Sequence, residues 1–338
     1  MERVALAGSD LMVSPICIGT WQFNGGKADE TWPAQDETVS KAIVDKAIEL
    51  GVNFFDTAEA YGLHESERVL SRCLAGCRQD VIIASKFGRH EGGKVKEYAA
   101  TDIEQALTAS LQALQTDYID IYQIHWSVNM RDVHETVAEL NRQKSLGRIR
   151  QYGICNFGSS SIEEFFATGG KPCSLQVPYS LLWRAIEYNI LPTIRQHGLS
   201  VLAYSPLQQG LLTGRFHNAS EVPEGRRRTR HFSSDSTNLS RHEQKGAEEE
   251  TFKAINDIRD LCNKENIPMS SAALSWILSQ EGAASVVVGC RTPQQLEDNC
   301  KLIKLSQSVV KRLSDCTAEL KEKLGDNPDM WAKTSRYK

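Results

Sequence analysis

Eight short apolar runs, each separated from the next by a stretch of helical periodicity, constrain this chain more than any other feature. They lie at 16–19 (ICIG), 53–56 (NFFD), 81–85 (VIIAS), 118–124 (YIDIYQI), 150–154 (RQYGI), 174–177 (SLQV), 200–204 (SVLAY) and 285–288 (SVVV). Between them apolar side chains recur every three or four residues. Val39, Ile43, Ala47 and Leu50 share one face of 38–50, with Gly51 as the stop. Ile103, Leu107, Leu111 and Leu114 share one face of 101–114, where Thr101 and Glu104 read as a capping box. Further helices are expected at 133–146, 186–196, 247–265, 269–280 and 307–324. Strands that alternate with helices pair in parallel through crossover connections. Eight such units predict a closed (β/α)8 barrel, although an open doubly wound sheet can be assembled from the same parts. A further pair of short strands near 3–6 and 11–13, joined by Ala7-Gly8-Ser9-Asp10, predicts an N-terminal hairpin.

The starts of successive runs differ by 37, 28, 37, 32, 24, 26 and 85 residues. The last gap holds a polar stretch, 208–246, expected to form a long βα loop of functional or mobile character. No repeat and no linker divides the 338 residues, so one domain is expected over 1–338, with its core at about 3–325 and a tail at 325–338. The 39 basic against 43 acidic residues leave a net charge of −4, which argues against nucleic acid or an anionic membrane as a bulk-charge partner. No run of 18 apolar residues exists to span a bilayer, and the N-terminus has no basic segment followed by a long apolar one. Nine cysteines, an odd number without CxxC, fit free thiols in a reducing cytoplasm. G-x-G-x-x-G, the P-loop, H-E-x-x-H and G-x-S-x-G are all absent, and no metal site is read.

Chemistry in a barrel of this kind sits at the carboxyl ends of the strands. Asp56 ends the second run, Tyr61 follows five residues on, Lys86 follows the third run and His125 the fourth. A phenol is a weak acid near neutrality, and a neighbouring ammonium stabilises its anion and lowers its pKa. A carboxylate keeps the ammonium charged, and a histidine can orient a carbonyl oxygen. Together these groups can protonate an oxygen becoming an alkoxide, which hydride addition to C=O requires.

The stretch Gly51-Val52-Asn53-Phe54-Phe55-Asp56-Thr57-Ala58-Glu59-Ala60-Tyr61-Gly62 closely resembles the signature of the aldo-keto reductase superfamily. Matching segments come in order: GTW at 19–21, ASKFG at 84–88, DYIDIYQIHW at 117–126, YGICNF at 152–157, LQVPYSLLWR at 175–184, AYSPLQQGLLTGRF at 203–216 and VVVGCRTPQQLEDN at 286–299. In detail the chain is similar to the bacterial, plant and fungal general reductases and to the potassium-channel β-subunit branch. The resemblance implies a TIM barrel that reduces aldehydes or ketones to alcohols with NADPH, using Asp56, Tyr61, Lys86 and His125, with Tyr61 as general acid. It assigns Asn156 and Gln176 to the nicotinamide carboxamide and Tyr204 to stacking on the ring, with Thr20, Trp21, Asp56 and Cys155 nearby. Ser205, Pro206, Leu207, Gly210 and Arg215 match the loop over the pyrophosphate. Gly289, Arg291, Gln295, Asp298 and Asn299 match the adenosine end, where Arg291 suits a 2′-phosphate. Many relatives carry Ser at the place of Cys155, which makes this thiol a candidate oxidation-sensitive spot. The expected substrate rim is Trp21, Phe23, Trp32, Phe87 and Trp126, with parts of 208–246 and of the tail. The basic run Arg226-Arg227-Arg228-Thr229-Arg230 is expected to be a solvated loop. The channel branch supplies the alternative function, a cofactor-binding redox sensor or partner-regulating subunit with slow catalysis. The sequence itself points to a small carbonyl substrate and to no particular protein partner.

Overall fold

Side chains along a strand alternate between two faces, and here that alternation builds two separate cores. The computed structural model describes residues 1–26, 33–91 and 94–337. Its eight main strands are β1 (Ile16–Gly19), β2 (Phe54–Asp56), β3 (Ile82–Phe87), β4 (Ile119–Ile124), β5 (Ile149–Cys155), β6 (Ser174–Pro178), β7 (Ser200–Tyr204) and β8 (Ala283–Val288). Each pairs in parallel with the next, and β8 returns to β1 through Val286, Val287 and Val288 against Ile16, Cys17 and Ile18. The barrel is therefore closed, which excludes the open doubly wound sheet. Inward-facing Cys17, Phe54, Ile82, Ala84, Ile121, Leu202 and Val287 fill the barrel interior. Their outward neighbours, among them Ile16, Ile18, Phe55, Ile83 and Tyr122, pack beneath the helices.

The expected hairpin is present as Val4–Ala5 against Met12–Val13. It inserts Leu6, Leu11 and Val13 beneath the inward residues and seals the end of the barrel away from the strand carboxyl ends. Asn53 ties it down, accepting from the Ser14 N–H at 2.8 Å and donating to the Met12 carbonyl at 2.9 Å.

The helices are α1 (Glu37–Glu49), α2 (Glu65–Cys73), α3 (Ala100–Leu114), α4 (Val133–Ser145), α5 (Ser159–Ala167), α6 (Ile190–His197), α7 (Glu248–Glu265), α8 (Met269–Leu278), α9 (Pro293–Asn299), α10 (Gln307–Asp315) and α11 (Ala318–Leu324). Gly51 follows the end of α1 at φ 78°, a left-handed conformation suited to glycine. Periodicity misses α2, α5 and α9. The buried face of α2 carries Ser66 and Glu67 beside Val69 and Leu70, so its apolar stripe is interrupted. The expected capping box is displaced: Thr101 lies inside α3, and the Asp102 carboxylate accepts from the Ala99 N–H at 3.0 Å. The expected helix over 307–324 is two helices, broken at Cys316 and Thr317.

The stretch 208–246 is packed rather than loose. It forms short 3-10 turns, and it buries Phe216, Val222 and Phe232. The basic run is not a solvated loop: Arg228 and Arg230 are buried, with Arg230 Nη2 donating to the Ala332 carbonyl at 2.8 Å. His231 anchors this run to the barrel, donating from Nε2 to the Leu182 carbonyl at 2.9 Å while Nδ1 meets Thr229 Oγ1 at 3.0 Å.

Burial pushes His231 down to about 4, aided by His242 and opposed by the Leu182 carbonyl. An unfolded histidine titrates near 6.5, so between these values the unfolded chain holds the extra proton and stability falls as pH falls. We expect urea unfolding to show a loss on the order of 1–2 kcal/mol from this residue between pH 7 and 5. The pH slope should shrink in His231→Gln; an unchanged slope would refute the assignment.

Candidate active site

The same alternation that fills the barrel places polar groups at its mouth. Asp56 is two residues beyond inward Phe54, Lys86 two beyond Ala84, Gln123 two beyond Ile121 and Tyr204 two beyond Leu202. Cys155 ends β5, and Gln176 pairs with it in register on β6. Asp56 and Lys86 are both buried, and Lys86 Nζ lies 2.6 Å from Asp56 Oδ2. Nζ also donates to the Thr57 carbonyl at 2.9 Å and to the Tyr61 hydroxyl at 3.3 Å. The other Asp56 oxygen accepts from Gln176 Nε2 at 2.6 Å and from Gln123 Nε2 at 3.4 Å. The His125 ring stands edge-on to Tyr61, 6.0 Å between centroids, and Trp21 stacks on Tyr61 at 5.9 Å.

Burial works to lower the Lys86 pKa, but the charges and hydrogen bond of Asp56 and Tyr61 outweigh it and hold the amine above its ordinary value. Tyr61 goes the other way from the expectation. Burial dominates and pushes its phenol up to about 12, even though Lys86 pulls it down. Burial likewise raises the Cys155 thiol, which is fully enclosed beside Asn156 Nδ2 at 3.2 Å. A thiol so enclosed and held protonated is in the setting of an inert cysteine, which argues against the expected oxidation-sensitive role.

Asn156 adopts φ 58° and turns its amide into the mouth. Nδ2 donates to the His125 carbonyl at 3.0 Å, and Oδ1 accepts from Tyr204 at 2.9 Å. Thr20 is engaged below the mouth, donating to the Asp56 carbonyl at 3.0 Å and bonded to Ser66 Oγ at 2.7 Å. After β7 the chain runs through Ser205, Pro206 and Leu207 to Gly210, with positive φ at Ser205, Gln208, Gln209 and Gly210. Gly289 follows β8 so closely that a Cβ there would stand 2.8 Å from Gln22 Oε1. Arg291 donates to the Pro33 and Ala34 carbonyls at 2.9 and 2.8 Å, and Gln295 Oε1 accepts from the Arg291 N–H at 2.8 Å. Burial, then the neighbouring charges of Arg215 and Arg291, hold Arg226 below its ordinary value. The charges of Arg215 and Arg291 thus act on Arg226.

Some expected residues lie elsewhere or are otherwise engaged. Phe23 and Phe87 have no exposed surface and belong to the core, so they form no rim. Phe87 packs against Tyr98 and Tyr122. Trp32 lies outside the described residues. Exposed Asp298 pairs with Lys301 at 2.8 Å, and buried Asn299 donates to Cys290 Sγ at 3.5 Å. A small cavity of about 80 Å³ opens beside His125 and Trp126, also lined by Ala60, Arg89 and Arg336. Gln123 escapes the sequence reading, and Arg336 and Tyr337 are not singled out within the tail that it places at the rim. For Gln123 a signal exists, a polar side chain at an inward position of an apolar strand.

The sequence profile of the aldo/keto reductase family matches residues 15–318, so the chain belongs to that family of oxidoreductases, which act on small carbonyl compounds with a nicotinamide cofactor. Among curated relatives, the NADH-specific methylglyoxal reductase of Escherichia coli is 31% identical, with 96% of this chain and 99% of that one covered. A probable voltage-gated potassium channel subunit beta of rice (Oryza sativa) is 26% identical, with 90% and 91% covered. Among solved structures, glycerol dehydrogenase of Gluconobacter oxydans superposes with a TM-score of 0.78 at 27% identity, covering 94% of this chain and 95% of that one. The holo form of a Bacillus halodurans aldo-keto reductase gives 0.75 at 28%, covering 94% and 96%.

Removing one member of a buried ion pair leaves the other uncompensated, which costs about 3–5 kcal/mol. Lys86→Met should therefore lower the denaturant midpoint by a stability loss of that order. A variant as stable as the parent would refute the buried ion pair as a stabilising contact.

Proposed function

We propose that this protein is an NADPH-dependent carbonyl reductase in which Tyr61 protonates the carbonyl oxygen of an aldehyde or ketone. One observation carries the proposal. Lys86 has three N–H donors and no acceptor, and they point to Asp56, Thr57 and Tyr61. The Tyr61 oxygen must therefore accept from Lys86, which leaves its own proton to donate. When that proton leaves, the phenolate faces an ammonium 3.3 Å away. Asp56 keeps the ammonium charged. A carbonyl can only accept, so the 3.2 Å contact between His125 Nδ1 and the Gly88 oxygen puts a proton on Nδ1. His125 Nε2 is then the nitrogen that meets and orients the substrate oxygen.

The mouth suits a nicotinamide dinucleotide. Asn156, Gln176 and Tyr204 cluster around Asp56 and Lys86, where the reactive ring would lie. Arg226 is buried under the charges of Arg215 and Arg291, a strain that phosphates bound there would relieve. The cofactor supplies the hydride, and the residues around it hold the proton and exclude water. Among the described residues Arg291 has carbonyls and no carboxylate as its hydrogen-bond partners, which supports a 2′-phosphate and hence NADPH, in contrast to the NADH-specific relative. The nine free cysteines support a cytoplasmic location. Among the described residues no helix is long and apolar enough to cross a membrane.

Tyr61→Phe should lower kcat for aldehyde reduction by about 10²–10⁴-fold, the usual worth of a general acid, and leave cofactor affinity unchanged. With the phenol up near 12, the parent stays proton-loaded, so reduction should show no Tyr61 inflection below pH 10. Alcohol oxidation, which needs the phenolate, should rise steadily with pH over the same range. Retained turnover in the variant would remove Tyr61 from the reaction. Arg291→Gln should weaken NADPH about 10–100-fold, the worth of a charge-assisted contact, and NADH little. Equal losses for both would refute the 2′-phosphate assignment. Cofactor binding with no turnover of any carbonyl would favour the redox-sensor reading.

A further inference from the structure

We infer that the C-terminal tail is a gate on the nicotinamide end of the cofactor site, with Tyr337 as its latch. The inference rests on the assignment of the carboxamide to Asn156.

The tail is an organised element. Buried Asp329 gathers it, accepting from the backbone N–H groups of Trp331, Ala332 and Arg336 at 3.1, 3.2 and 3.2 Å. The Arg336 guanidinium closes the same loop at 2.7 and 2.9 Å. The loop is seated on the basic run and the segment after it. Arg230 donates to the Ala332 carbonyl, Arg228 lies over the Trp331 ring at 5.3 Å and the Lys333 N–H donates to the Arg241 carbonyl at 2.9 Å. Arg336 is thereby laid over the Trp126 ring at 3.6 Å, and the Tyr337 hydroxyl reaches Asn156 Oδ1 at 2.6 Å.

Hydrogen-bonding capacity at Asn156 limits what can bind there. Its amide has two acceptor sites and two N–H donors. The acceptor sites take Tyr204 and Tyr337, and the donors go to the His125 carbonyl and Cys155 Sγ. Asn156 is saturated, so a carboxamide can bond it only by displacing a partner. Tyr204 is held in β7, and His125 and Cys155 are held at the ends of β4 and β5. Tyr337 is carried by the tail, outside every barrel strand, and its ring meets Trp126 edge-on, 5.7 Å between centroids. It is the partner that yields, and the tail must lift for the nicotinamide to enter or leave.

The test reads binding and exchange rather than turnover. NADP+ is titrated by fluorescence into the parent and into Tyr337→Phe, which keeps the ring and loses only the competing hydroxyl. The expected result is a Kd about three- to tenfold lower in the variant, the worth of one hydrogen bond. Hydrogen–deuterium exchange over 329–337 should become faster in the parent when NADP+ saturates it. Weaker binding in the variant, or a tail more protected with NADP+, would show that Tyr337 holds the cofactor and would overturn the gate. Binding with unchanged affinity and unchanged tail exchange would overturn the gate alone. Failure of both proteins to bind NADP+ or NAD+ would overturn the cofactor assignment itself, and the gate with it.

Discussion

The ion pair of Asp56 and Lys86, buried inside the barrel mouth, is the interaction on which the rest of the site depends. Two charges taken out of water cost several kcal/mol each, and mutual attraction alone does not reliably repay that. The structure offsets the cost with hydrogen bonds to the remaining lone pairs and protons. Gln176 and Gln123 share one Asp56 oxygen, and the Thr57 carbonyl takes a Lys86 proton. What is left of Lys86 is a single N–H, and it goes to Tyr61. The polarity of the Tyr61 hydroxyl is therefore set by the need to satisfy a buried ammonium.

That arrangement needs strands of the right parity and a sealed barrel. A one-residue shift of β2 or β3 would turn Asp56 or Lys86 outward beneath the helices and bring Phe55 or Phe87 into the mouth. The apolar layer of Cys17, Phe54, Ile82, Ala84, Ile121, Leu202 and Val287, closed below by the hairpin, keeps water from reaching the pair from the far end. The barrel thus both positions the charges and sustains the low-dielectric surroundings that raise the Tyr61 phenol.

Legibility in the sequence depends on which signals are local. All eight barrel strands show as apolar runs, and the long amphipathic helices show as stripes, because both patterns repeat within a few residues. Helix α2 does not, because Ser66 and Glu67 on its buried face bond Thr20 and Ser85 rather than packing as hydrophobes. Asp56, Tyr61, Lys86 and His125 stand out as polar groups at apolar strand ends, and the structure brings them together. The sequence misplaces Phe23 and Phe87 because a position near the mouth does not say which way a side chain faces. It misjudges the direction of the Tyr61 shift for a related reason, since the attraction of Lys86 is visible as a motif while burial is a sum over the whole barrel. The tail is expected at the rim, but its contact is not legible there: Tyr337 meets Asn156 across 181 residues, and nothing local marks Tyr337 as the residue that does so.

The long stretch after β7 shows how one segment comes to serve two sets of neighbours. Arg226 sits close enough to Arg215 and Arg291 for their charges to lower its pKa. Two and four residues on, Arg228 and Arg230 carry the tail at Trp331 and Ala332. Guanidiniums separated by so short a length of chain thus meet the charges of Arg215 and Arg291 on one side and the tail on the other. Such a segment cannot be loose, because either contact would be lost if its backbone drifted. His231, neutral and bonded to the Leu182 carbonyl, fixes it to the barrel between those two duties. The polar composition of 208–246 therefore reflects guanidiniums spent on internal contacts, and the absence of regular secondary structure there is compatible with tight packing.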